Sequence, residues 1–171
     1  MEEIFSLPPL AVFDNNYQTV LEFMDTLGNP KFKIAGDVNL FNRNIESLGN
    51  LVEVEGNLDL GYTKITSLPD NLYVGGSLDL SYTNITSLPD NLYVGGSLDL
   101  SYTNITSLPN NLHVDGSLYL NDTNITSLPN NLKVGSNLFL ERTPLSEKYT
   151  STEIREMIEN KGGFVERNIY Q

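Results

Sequence analysis

The chain has 171 residues, no cysteine and a formal net charge of -12. That length suits one domain around one core, and the lack of cysteine excludes disulfides, thiolate metal sites and a cysteine nucleophile. Ten Lys and Arg against 22 Asp and Glu argue against direct contact with nucleic-acid phosphates and point to a partner with a neutral or basic surface.

Residues 1–30 read as an N-terminal cap. The start is acidic, and Pro8 and Pro9 break the apolar stretch that follows, so the pattern lacks the basic and apolar regions of a secretory signal. No apolar run is long enough to span a bilayer. The expectation is a soluble, cytoplasmic protein without membrane contact. Val20, Leu21, Phe23, Met24 and Leu27 fall at helical spacing after Asp14, Asn15 and Asn16, with Gly28 and Pro30 as the stop, which predicts a helix over about 16–27.

Residues 31–145 carry the main signal, six tandem units of twenty residues. Residues 71–90 read NLYVGGSLDLSYTNITSLPD, and 91–110 repeat them with one change, Asp90 to Asn110. Copies continue at 111–130 and 131–145, and upstream at 51–70 and a worn 31–50. Within a unit Leu92, Val94, Gly96, Leu98 and Leu100 alternate with outward residues, the period-2 pattern of strand with one buried face. Pro109 then ends the apolar run. One such unit cannot bury its stripe alone, so neighbouring coils must stack into a shared core.

The run Leu78-Asp79-Leu80-Ser81-Tyr82-Thr83-Asn84-Ile85 and its copies resemble the core motif of leucine-rich repeats, and the near-identical short units are similar to such proteins from bacteria, bacteriophages and large viruses. The resemblance implies a mainly β solenoid of parallel strands used for binding, virus-encoded in one version and aimed at a host factor in the host cytoplasm. Two departures stand out. Gly75 and Gly95 replace the first Leu, and Thr63, Thr83, Thr103, Thr123 and Thr143 replace Asn. In the family that Asn bonds the backbone of adjacent coils, and the Thr hydroxyl is expected to do a reduced version of this. A second strand at Leu92–Val94, bent from the first at the glycine pair, would give a two-sheeted solenoid with no full helix on its convex side.

Residues 146–171 read as a C-terminal cap. Thr150 and Glu153 have the capping-box form, Ile154, Met157 and Ile158 share a face, and Gly162-Gly163 stop the helix, predicted at about 151–161. A last strand is possible in Phe164-Val165 and Ile169-Tyr170.

No catalytic constellation is visible: His113 is the sole histidine and takes the column of Tyr73, Tyr93 and Lys133. The chain is read as a non-enzyme without cofactor or metal. Stacking places outward residues in columns, one of them Asn39, Asp59, Asp79, Asp99, Tyr119, Phe139 and another Asn42, Tyr62, Tyr82, Tyr102, Asp122, Arg142, with Glu141 between them in the last unit. At about 4.8 Å spacing the aspartates repel by roughly 1 kcal/mol per neighbouring pair even in water. The predicted partner-binding residues are therefore Asp59, Asp79, Asp99, Tyr62, Tyr82, Tyr102, Tyr119, Phe139 and Glu141, meeting a protein partner on the exposed strand face. The Asn71, Asn91, Asn111, Asn131 column is read as a structural amide ladder, and Asn-Ile-Thr at Asn84, Asn104 and Asn124 as repeat chemistry rather than glycosylation. Two alternatives stay open, a self-assembling structural protein and an acidic nucleic-acid mimic; monomer and side-by-side dimer are both compatible.

Overall fold

The computed structural model describes residues 3–171. It opens with β1 (Phe5–Leu7), a 3-10 turn at Leu10–Phe13 and α1 (Tyr17–Thr26), followed by β2 (Phe32–Ile34) and β3 (Val38–Asn39). Strands then alternate: β4 (Leu51–Val54), β5 (Leu58–Asp59), β6 (Tyr73–Val74), β7 (Leu78–Asp79), β8 (Tyr93–Val94) and β9 (Leu98–Asp99). The array continues with β10 (His113–Val114), β11 (Leu118–Tyr119), β12 (Lys133–Val134) and β13 (Leu138–Phe139). Two helices, α2 (Pro144–Lys148) and α3 (Ser151–Asn160), precede β14 (Phe164–Val165) and β15 (Ile169–Tyr170).

Two parallel sheets result, forming a β-solenoid. The eight-stranded sheet runs β1-β2-β4-β6-β8-β10-β12-β14 and the seven-stranded sheet β3-β5-β7-β9-β11-β13-β15. Asn39, Asp59, Asp79, Asp99, Tyr119 and Phe139 are successive register partners, so the twenty-residue advance holds through about five turns. Inward alternation closes the core: Leu58, Leu60, Ile65, Leu72 and Val74 have no exposed surface, and each such side chain contributes roughly 1.5–3 kcal/mol on burial.

At the bend between the two strands of its coil, Gly96 packs directly on the preceding coil. A β-carbon on Gly96 would lie 2.7 Å from the Ser77 nitrogen and 2.8 Å from the Gly76 carbonyl carbon of the preceding coil. Beside it runs a side-chain ladder that the sequence reading did not foresee. The backbone N–H of Asn57 donates to Asp37 (2.7 Å), Ser77 to Asn57 (2.7 Å), Ser97 to Ser77 (3.0 Å), Ser117 to Ser97 (3.0 Å), Asn137 to Ser117 (3.3 Å) and Asn168 to Asn137 (3.1 Å). The buried threonines act differently from expectation. Thr83 Oγ1 donates to the Leu80 carbonyl at 2.6 Å, within its own coil, and the other four repeat the bond. A threonine hydroxyl is too short to reach the next coil while serving the carbonyl three residues back. The asparagine column does form amide bonds, from Asn91 to Asn71 (3.2 Å) and from Asn131 to Asn111 (2.8 Å).

Both ends carry helices at the predicted places, with additions. At the N-terminus Asn16 caps α1, and buried Tyr17, Val20 and Met24 join the core. The Tyr17 hydroxyl donates to the Leu48 carbonyl at 2.9 Å, and burial holds its pKa above the usual phenol range. The added element is β1, which lies on β2 in register from Phe5↔Phe32 to Leu7↔Ile34 and covers that sheet edge. At the C-terminus the repeat gives way to α2, because Thr143 both closes its own coil and caps the helix that starts at Pro144. α3 follows with the capping box of Thr150 and Glu153. β14 and β15 then return to the two sheets.

Candidate functional face

The outward column of the seven-stranded sheet is set by alternation: in Leu78-Asp79-Leu80 both leucines are buried, so the aspartate points out. Each acid also serves its own turn. Asp59 Oδ1 accepts the Gly61 N–H at 3.1 Å, Asp79 that of Ser81 at 2.8 Å and Asp99 that of Ser101 at 2.8 Å. That turn leads the chain into left-handed backbone at the next position, with φ of 59° at Tyr62, 56° at Tyr82 and 59° at Tyr102. A bulky residue there costs roughly 1–2 kcal/mol. Stacking offsets part of it: Tyr62–Tyr82 and Tyr82–Tyr102 ring centroids are 4.3 Å apart, and Phe41 meets Tyr62 edge-on at 5.4 Å.

The acids and tyrosines thus form two adjacent columns on one face. Ser81 and Ser101, which lie between them in the chain, are buried. The three tyrosines are each between 44% and 48% exposed, which leaves their rings available from outside. Loss of hydration, aided by the hydroxyls of Tyr102 and Tyr62, pushes the Tyr82 pKa up to about 12. Asp59 and Asp99 are both raised above the ordinary carboxylate value, first by partial burial and further by the charge of Asp79; the turn bonds act in the opposite sense. No ion pair joins Asp59, Asp79 or Asp99 to a cation among the described residues.

Further along the rod the acid column becomes aromatic, as the sequence indicates. Tyr119 and Phe139 stack at 4.6 Å, and Tyr170, which sequence reading did not include, extends the stack at 4.7 Å. It was hidden because α2 and α3 break the twenty-residue count before β15. The tyrosine column ends differently, with Arg142 Nε 2.6 Å from Asp122 Oδ1 and Nη2 3.2 Å from the Tyr102 hydroxyl. Glu141 is half-buried, like the three aspartates, with Oε2 enclosed and without a hydrogen-bond partner among the described residues.

The eight-stranded sheet holds a second aromatic column that was visible in sequence but given no role. Tyr73 and Tyr93 stack at 4.7 Å, and His113 lies edge-on to Tyr93 at 6.3 Å. Asp115 accepts the Tyr93 hydroxyl at 2.8 Å and lies 3.0 Å from His113 Nε2. Among the described residues no group of three or more His, Asp or Glu side chains could hold a metal ion, and no helix is long and apolar enough to cross a membrane. No protein-family model matches the chain, and comparison with curated proteins and with solved structures finds no match.

Proposed function

We propose that the chain is a non-catalytic binding module that takes a protein partner of neutral or basic surface on the Asp59–Asp79–Asp99 column and its flanking aromatics. The observation that carries this reading is a run of three in-register carboxylates with no ion-pair partner among the described residues, beside exposed tyrosines stacked in strained backbone. A cation from outside would relieve the repulsion, and rigid aromatic rings offer contact area at small entropic cost. Arg142 is an internal instance of the chemistry, a guanidinium held by a carboxylate and a tyrosine hydroxyl at the end of the tyrosine column. The kinship to leucine-rich repeats, a viral or phage origin and a cytoplasmic setting belong to the same proposal.

Replacing Asp79 and Asp99 with Asn and Tyr119 with Ala keeps the turn-forming oxygens and is expected to leave the fold intact. In affinity capture from the native host's lysate, the wild type should retain a stoichiometric protein that salt releases, and the triple variant should not. Equal capture by the variant would remove this face from consideration. The alternative of a self-assembling structural protein draws on β3 and β15, the terminal strands of the seven-stranded sheet, and predicts recovery of the bait alone.

A further inference from the structure

Two columns of backbone hydrogen bonds run the length of the eight-stranded sheet, and a side chain supplies the last donor to both. In the first, the carbonyls of Val54, Val74, Val94, Val114 and Val134 accept from Gly75, Gly95, Asp115, Gly135 and Glu166, all between 2.9 and 3.1 Å. The next acceptor in that series is the Val165 carbonyl, and Arg155 Nη1 donates to it at 2.6 Å. In the second, the carbonyls of Gly36, Gly56, Gly76 and Gly96 accept from Gly56, Gly76, Gly96 and Gly116, and that of Ser136 from Arg167. The next acceptor is the Arg167 carbonyl, and Arg155 Nη2 donates to it. One guanidinium, with its fixed fork of donors, stands where the next coil's two N–H groups would be.

We infer that Arg155 holds shut a strand-docking edge, and that the partner it excludes is a second copy of this chain, joined tail to tail through β14. Val165 lies between Phe164 and Glu166, whose N–H groups face back into the sheet, so its own N–H and C=O face off the edge. A residue with both groups outward can exchange two hydrogen bonds with itself across a two-fold axis, as an isologous antiparallel pair requires. Phe164 is 38% exposed beside it, whereas Val165 itself is buried, so pairing requires the Arg155 side chain to leave the edge. Charge favours this end: residues 146–171 carry five carboxylates against four Lys and Arg, whereas the whole chain is at -12, so two copies repel least here. Edge strands are ordinarily blunted against such pairing, and here a helix-borne arginine does it from within.

The test is the mass of wild type and R155A by sedimentation velocity across a wide concentration range. R155A should rise with concentration toward twice the wild-type mass, and adding Val165→Pro, which removes the outward N–H, should return it to the wild-type value. A folded R155A with the wild-type mass at every concentration overturns the inference, and growth past two chains overturns the tail-to-tail pairing. If R155A does not fold, R155K decides: its point charge lacks the fork, so partial association is expected, and a mass equal to wild type overturns the proposal.

Discussion

Arg142 lies across Asp122 of the preceding coil, Nε to Oδ1 2.6 Å, and reaches the Tyr102 hydroxyl one coil further back. The Arg142 guanidinium beside Asp122 holds that carboxyl below the ordinary range. A depressed folded pKa adds stability that is present above the unfolded value and is lost as pH falls through the folded one. The R142Q variant should therefore return the Asp122 carboxyl toward its ordinary titration and flatten the acid limb of stability. Carboxyl-carbon NMR titration checks the first and urea midpoints between pH 2 and 7 the second; an unmoved Asp122 would contradict the assignment.

Asp59 and Asp99 have the opposite sign. Their folded pKa values are raised, so they cost stability at neutral pH and the cost disappears as pH falls through those values. Asp79 contributes to both shifts. D79N keeps the oxygen that accepts the Ser81 N–H and removes the charge, so it should stabilise by about 1 kcal/mol at pH 7 and low salt, less at high salt. D79A loses that oxygen and should fall below D79N by about 1 kcal/mol in urea unfolding. D79A matching D79N would show that the turn bond adds nothing.

G96A places a methyl against backbone of the preceding coil, which has no flexible end to yield. About 2 kcal/mol of destabilisation is expected from overpacking. An unchanged urea midpoint would mean that the coils separate more easily than the ladder of bonds beside Gly96 implies.

Y17F leaves the packing of the N-terminal cap and removes its bond to the Leu48 carbonyl. The orphaned acceptor should cost about 1–2 kcal/mol. Amide exchange should quicken in α1 while β8 and β9 keep their protection; uniform acceleration would show instead that the cap and coils open as one unit.

Much of this was legible in order and chemistry. Leu-Asp-Leu at a fixed twenty-residue interval dictates an inward leucine, an outward acid and a parallel neighbour, and so the acid column and its change to Tyr119 and Phe139 could be read directly. The glycine pair likewise marked the bend between two strands. Legibility failed where the period failed. β1 belongs to its sheet by docking, since the three-residue Phe5–Leu7 segment carries no repeat to announce it; the tail was legible as a last strand at Phe164-Val165 and Ile169-Tyr170, but α2 and α3 broke the count that would have tied it to the preceding coil.

The sequence by itself determined the coil, because one local pattern repeated in tandem admits one stacking, and the core follows from it. Only the tertiary structure decided which groups meet across coils: that Glu141 turns partly inward, that Arg142 closes the tyrosine column, and that Arg155 ends the eight-stranded sheet. A long side chain chooses its partners by where the backbone around it has already come to rest. That position is set by coils forty residues away as much as by its own neighbours.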